Sequence, residues 1–115
     1  MLSSTLLIIA YNTDMIIYNV TVKINPEVHI DWLEWMQTTH IPDVMQTGKF
    51  ISNQIARVLG QDESDGITYA IQYTCDSMKT LHAYTAHDSP SLQKEHNIRY
   101  QGKYVAYRTL LEVID

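Results

Sequence analysis

Few of the residues that reveal chemistry by themselves occur in this sequence. A single cysteine, Cys75, stands among 115 residues, so no intrachain disulfide can form and nothing in the cysteine count favours secretion. Neither Cys-x-x-Cys nor His-x-x-x-His occurs, which leaves a dedicated metal site without support. Glycine is limited to positions 48, 60, 66 and 102, too dispersed for a phosphate-cradling loop, and there is no Gly-x-Ser-x-Gly nucleophile elbow. No cofactor is therefore implied. Lys and Arg number only eight against thirteen Asp and Glu, a net charge of -5 that opposes a nucleic-acid partner. The apolar run Leu6–Ala10 is short and no Lys or Arg precedes it. A secretory signal needs a basic start and roughly 7–15 apolar residues, and a spanning helix needs about 20, so no membrane partner is expected. Together these absences point to a cytoplasmic protein.

What is present is an ordinary globular composition, with 45% hydrophobic and 18% charged residues. The length suits one domain, and a chain of this size buries roughly 65% of its unfolded surface without staples. Residues 1–14 read as an N-terminal extension and 15–115 as the single domain.

Met15 to Ile24 alternates, with Ile16, Tyr18, Val20, Val22 and Ile24 on one face and Ile17, Asn19, Thr21 and Lys23 on the other. That is a half-buried strand. Asn25-Pro26-Glu27 then signals a helix start, and Val28, Trp32, Leu33, Trp35 and Met36 give it an apolar stripe. Pro42 disfavours helical geometry at Ile41 and should end or kink the helix there. Phe50–Leu59 and Ile67–Cys75 read as two strands joined by the acidic loop "GQDESDG". A second helix starts near Asp76-Ser77, breaks at Asp88-Ser89-Pro90 where Asp88 or Ser89 can cap a new start, and continues through Leu92 and Ile98 to Gly102. Lys103–Ile114 is the last strand. The order β-α-β-β-α-β predicts an α+β, ferredoxin-like fold: a four-stranded antiparallel sheet with both helices on one face.

The other sheet face is neither clean solvent surface nor core. It holds Ile17, Asn19, Thr21 and Lys23 beside Thr68, Ala70, Gln72 and Thr74. On the last strand, Val105, Tyr107, Leu111 and Val113 should face the helices, leaving Tyr104, Ala106, Arg108, Leu110 and Glu112 open. Such a face can be wet, can bind single-stranded RNA, or can pack against a second copy around a partly polar cavity. The stretch "DGITYAIQY" echoes an RNA-recognition signature, but Asp65 replaces its basic residue and Ile67 its first stacking aromatic.

The segments "MIIYNVTVKI", "WLEWM", "HIPDVMQTGKF", "GITYAIQY" and "GKYVAYRTLLEVI" resemble a family of short bacterial proteins known only as a domain of unknown function. The resemblance spans Met15 to Ile114. It implies membership of the dimeric α/β-barrel class, in which two ferredoxin-like sheets join into one barrel. Relatives in that class include cofactor-free monooxygenases and haem-dependent enzymes. A homodimer is the implied assembly; no catalytic role comes with the narrower family.

His40 and Arg108 are the candidate catalytic residues. His40 continues the stripe of Leu33 and Met36, and it reads either as a capping or core histidine or as a base at the barrel mouth. The "HIP" segment is similar to a His-x-Pro placed comparably in some dimeric barrel enzymes. Arg108 reads as the partner of Glu112 or of an acid from the other subunit, or else as a fork for an anionic ligand. Asn19, Thr21, Gln72 and Tyr104 are candidate ligand-binding groups in the same cavity. His29 and His96 sit among polar neighbours in sequence, and Trp32 and Trp35 read as core mass. The expected role is binding of a small organic molecule in a homodimeric α/β barrel. Alternatives are a cofactor-independent monooxygenase or isomerase-like enzyme, and a non-catalytic protein-interaction module. Catalysis itself is left undecided.

Overall fold

A computed structural model describes residues 14–114. The extension expected at residues 1–14 lies, Asp14 apart, outside the described residues. Four strands, β1 (Ile16–Ile24), β2 (Ser52–Arg57), β3 (Ile67–Cys75) and β4 (Tyr104–Glu112), form one sheet in the order β2-β3-β1-β4. All neighbouring pairs are antiparallel. Between β1 and β2 lie α1 (His29–Trp35), a π-helical turn (Met36–His40) and α2 (Ile41–Gln46); between β3 and β4 lie α3 (Met78–His87) and α4 (Ser89–Arg99). This is the ferredoxin-like arrangement.

Alternation decides which strand face is covered. Ile16, Tyr18, Val22 and Ile24 of β1 meet Ile67, Tyr69, Ile71, Tyr73 and Cys75 of β3 on the helix side, all buried. Trp32, Met36, Val44, Leu81 and Tyr84 close over them from the helices. Each such side chain stabilises the fold by roughly 1.5–3 kcal/mol when taken fully out of water. Cys75 belongs to this core, and burial raises its thiol pKa, which keeps it unreactive.

Local signals set the joints. Asn25 accepts the backbone N–H of Glu27 at 2.8 Å in a turn that precedes α1 by a few residues. Ser77 caps α3 by accepting from the Thr80 N–H at 3.2 Å. At the α3–α4 break neither expected cap forms: Asp88 instead pairs with Lys49 Nζ at 2.9 Å, and Ser89 is buried and accepts from Gln93 at 2.7 Å. Gly102, at φ +74, occupies the left-handed conformation that turns the chain into β4.

Three expectations need correction. Pro42 does not end the first helix, because Ile41 keeps helical angles (φ -61, ψ -45) and α2 runs to Gln46. The break is absorbed by the π turn, in which the Ile41 N–H bonds to the Met36 carbonyl five residues back. β2 is shorter than Phe50–Leu59, with Phe50 buried and Leu59 84% exposed at the ends. The faces of β4 are the reverse of those expected. Its register pairs Val20 with Arg108, Val22 with Ala106 and Ile24 with Tyr104, so Tyr104, Ala106, Arg108, Leu110 and Glu112 lie on the helix side. Val105, Tyr107 and Leu111 lie on the open side and are exposed. β4 is apolar on both faces, so its periodicity cannot decide; pairing with β1 does.

Candidate functional site

Between the helices and the β1–β4 half of the sheet lies a cavity of about 550 Å³. Its floor is the covered sheet face, with Tyr18, Val20, Tyr73, Ala106 and Arg108; His40 closes it from the first helical layer, and Leu92 and His96 from α4. The cavity forms there because β4 is an edge strand whose helix-side residues are only partly covered. Val20, Leu92, Tyr104 and Ala106 accordingly stay half-buried at the border of the core.

His40 is positioned by the π turn. Five residues of regular α-helix would rotate it about 140° away from Trp35. The wider turn brings the two rings into a stack at 5.1 Å with 29° between planes. The helix continues past it, so it does not cap a helix end. Its Nδ1 is buried without a hydrogen-bond partner among the described residues. Burial drives its pKa from 6.5 down to about 4, against a smaller opposing pull from Asp43. The ring is neutral at pH 7.

His96, whose sequence neighbours are polar, is not a surface residue: it is 8% exposed. Its Nε2 accepts the Trp32 indole N–H at 2.9 Å, which places its own proton on Nδ1. It stands 5.7 Å from the His40 ring, edge to face, and 4.4 Å from the Tyr104 ring at 87°. Burial lowers its pKa to about 4, aided by His40 and then by the Arg108 charge. A signal for it does exist in the sequence: Leu92, His96 and Tyr100 follow one another at four-residue spacing, and that stripe is the inner face of α4. Ile98, off that stripe, is 66% exposed.

Arg108 does not pair with Glu112. Its Nε donates to the Tyr18 hydroxyl at 2.9 Å, across the β1–β4 pair. The Tyr18 ring stacks near-parallel on Phe50 (6.1 Å, 12°) and meets Tyr84 edge-on (5.8 Å). Burial raises the hydroxyl pKa of both Tyr73 and Tyr84, so these phenols stay protonated.

The structure thus brings together His40, Arg108 and Tyr104, and adds His96. Asn19, Thr21 and Gln72 do not join them. They lie on the opposite sheet face, where Asn19 Nδ2 donates to Thr21 Oγ1 at 3.0 Å and Gln72 pairs in register with Asn19. The expectation of one shared cavity fails because adjacent strand residues point to opposite sides. Among the described residues no group of three His, Cys, Asp or Glu side chains is placed to hold a metal ion. Among the same residues no helix is long and apolar enough to cross a membrane.

A ferredoxin-like sheet with an aromatic, histidine-lined cavity beneath its helices defines the class structurally. The chain belongs to the family described as domain of unknown function DUF4286, whose model matches residues 15–114. No curated protein matches it. Solved structures do. An EthD family protein of Bacillus halodurans has a TM-score of 0.65 at 16% identity, covering 86% of this chain and 99% of that one. A dimeric ferredoxin-like protein from an uncultured marine organism has a TM-score of 0.63 at 11% identity, covering 89% and 97%. SnoaB, a cofactor-independent oxygenase of Streptomyces nogalater, has a TM-score of 0.65 at 9% identity, covering 88% and 94%. At these identities the likeness is one of fold.

Proposed function

We propose that this protein binds a small organic molecule in the cavity between helices and sheet, and that it works as a cytoplasmic homodimer. The observation that carries the binding reading is the convergence of His40, His96, Tyr104 and Arg108 on one half-apolar cavity of about 550 Å³. That size lies within the usual range for small-molecule sites, which combine apolar walls with a few placed polar groups. The dimer is supported by the open sheet face, where Val105 and Tyr107 of the edge strand are 68% and 64% exposed. It is supported too by the assembly of the ferredoxin-like neighbours described as dimeric.

A second reading is cofactor-independent oxygenation or isomerisation, with His40 as the proton acceptor and Arg108 holding the developing anion. It is favoured by the largely buried His40 ring, neutral at pH 7 and so able to take up a proton, and by the fold shared with SnoaB.

Native mass spectrometry with light scattering tests the main reading. A dimer carrying small-molecule mass is expected for the wild type, and Ala106→Trp should lose that mass by filling the cavity floor. A monomer at micromolar concentration refutes the assembly; retained mass in the filled variant refutes the cavity.

A further inference from the structure

Resting on the reading of this cavity as a ligand site, we propose that its ligand is an organic anion with a flat apolar body. The Arg108 guanidinium, steadied by Tyr18, grips the acidic group while the body lies between Leu92, Tyr84 and Tyr104.

The argument starts from charge. The chain carries thirteen Asp and Glu against eight Lys and Arg. Yet among the described residues no carboxylate lines the cavity, whereas Lys94, Arg108 and two histidines do. In a protein of net charge -5 this wall is the exception. The three arginines make the same point. Arg57 meets Glu63 at 2.6 Å and Arg99 meets Asp31 at 3.7 Å. Among the described residues Arg108 has no carboxylate partner. Its Nε is committed to Tyr18, which fixes the plane of the fork and leaves the terminal N–H groups available. A guanidinium held in one plane is matched in shape to a carboxylate and loses little freedom on binding it.

The neutral groups point the same way. His96 accepts from Trp32 through Nε2, so its remaining nitrogen is a donor. His40 is neutral too, so both imidazoles stay uncharged at neutral pH and add hydrogen-bonding groups without the cost of burying further charge. A cationic ligand would meet Arg108 and Lys94 with no compensating acid. The apolar remainder of the wall, with Leu92, Tyr84 and Tyr104, suits a flat hydrocarbon body.

Isothermal titration calorimetry with three probes of one shape tests this: 1-naphthoate, 1-naphthamide and 1-naphthylmethylammonium. Wild-type protein should bind the carboxylate about tenfold or more tighter than the amide, a difference of about 1.4 kcal/mol, and should not bind the cation. Arg108→Gln should bring the carboxylate down to the level of the amide. Arg108→Lys, keeping charge but losing the fork, should fall between them. Melting curves of both variants should stay close to the wild type, since Arg108 is an exposed residue. Equal affinity for amide and carboxylate in the wild type overturns the anion assignment and leaves the cavity as a ligand site. Undiminished carboxylate preference in Arg108→Gln overturns the role of Arg108. Failure of all three probes to bind overturns the ligand reading together with the anion assignment.

Discussion

Acidification from pH 7 to pH 4.5 should weaken this protein by several kcal/mol, and His40 and His96 are the cause. Each falls from 6.5 to about 4 on folding, chiefly through burial of the ring. The unfolded chain therefore takes up protons first. The sign follows: their contribution is complete above about pH 6.5 and is lost as pH drops toward 4. One such histidine is worth roughly 3 kcal/mol at full expression, and two together approach the whole stability of an ordinary domain. The pair is coupled, since a charge on His40 further disfavours one on His96, so the protons bind in two steps that belong to both rings. The steepest loss should approach roughly 2.5 kcal/mol per pH unit, with two protons separating the states. Urea unfolding followed by tryptophan fluorescence between pH 8 and 4.5 measures it, because Trp32 and Trp35 are buried beside the two rings. Glu63 and Asp76 are held below 4.5 and 3.8 by Arg57 and Thr80, so what they contribute is lost only at lower pH. His40→Gln and His96→Gln should each flatten the dependence by about half. A midpoint that stays constant from pH 7 to pH 5 in the wild type would refute the burial argument for both rings.

Two further outcomes test the packing. Trp32→Phe keeps the aromatic bulk but removes the donor to His96, and should cost about 1–3 kcal/mol in urea unfolding by leaving a buried nitrogen unpaired. Ile71→Ala, at a position 1% exposed in the middle of β3, should cost about 2–5 kcal/mol by the same measurement. Leu59→Ala, at an 84% exposed loop position, serves as its control and should stay within about 0.5 kcal/mol.

Half of the candidate site is legible in the amino-acid sequence. Helical phase singles out His40, yet the reason it lies inward is different. A π turn, not regular spacing, sets it on Trp35, and no residue pattern in "MQTTH" marks that turn. Arg108 stands out as a strand guanidinium that needs a partner, and it has one, but the partner is Tyr18, ninety residues away in the chain. His96 is hidden by its immediate neighbours, Glu95 and Asn97, which are polar. Those neighbours lie on the exposed side of α4, and the four-residue stripe through Leu92 and Tyr100 carries the better signal. Asn19, Thr21 and Gln72 group correctly with one another by strand alternation. Their grouping with Arg108 fails, since the face of β4 is set by its pairing with β1 and not by its own alternation.

Order, type and approximate extent of the elements come from the chain itself. Alternation in β1 and β3, the Asn25-Pro26 turn ahead of α1, the Asp76-Ser77 helix start, and Gly102 are local signals that physical chemistry reads residue by residue. Membership of a ferredoxin-like architecture follows from their order. Tertiary structure alone decided which side of β4 meets the helices, because an edge strand that is apolar on both faces carries no phase, and its register is set by hydrogen bonding to β1. That one choice moves Arg108 and Tyr104 from the open face into the cavity with His40 and His96. The candidate site therefore exists only in the register of two strands separated by most of the chain.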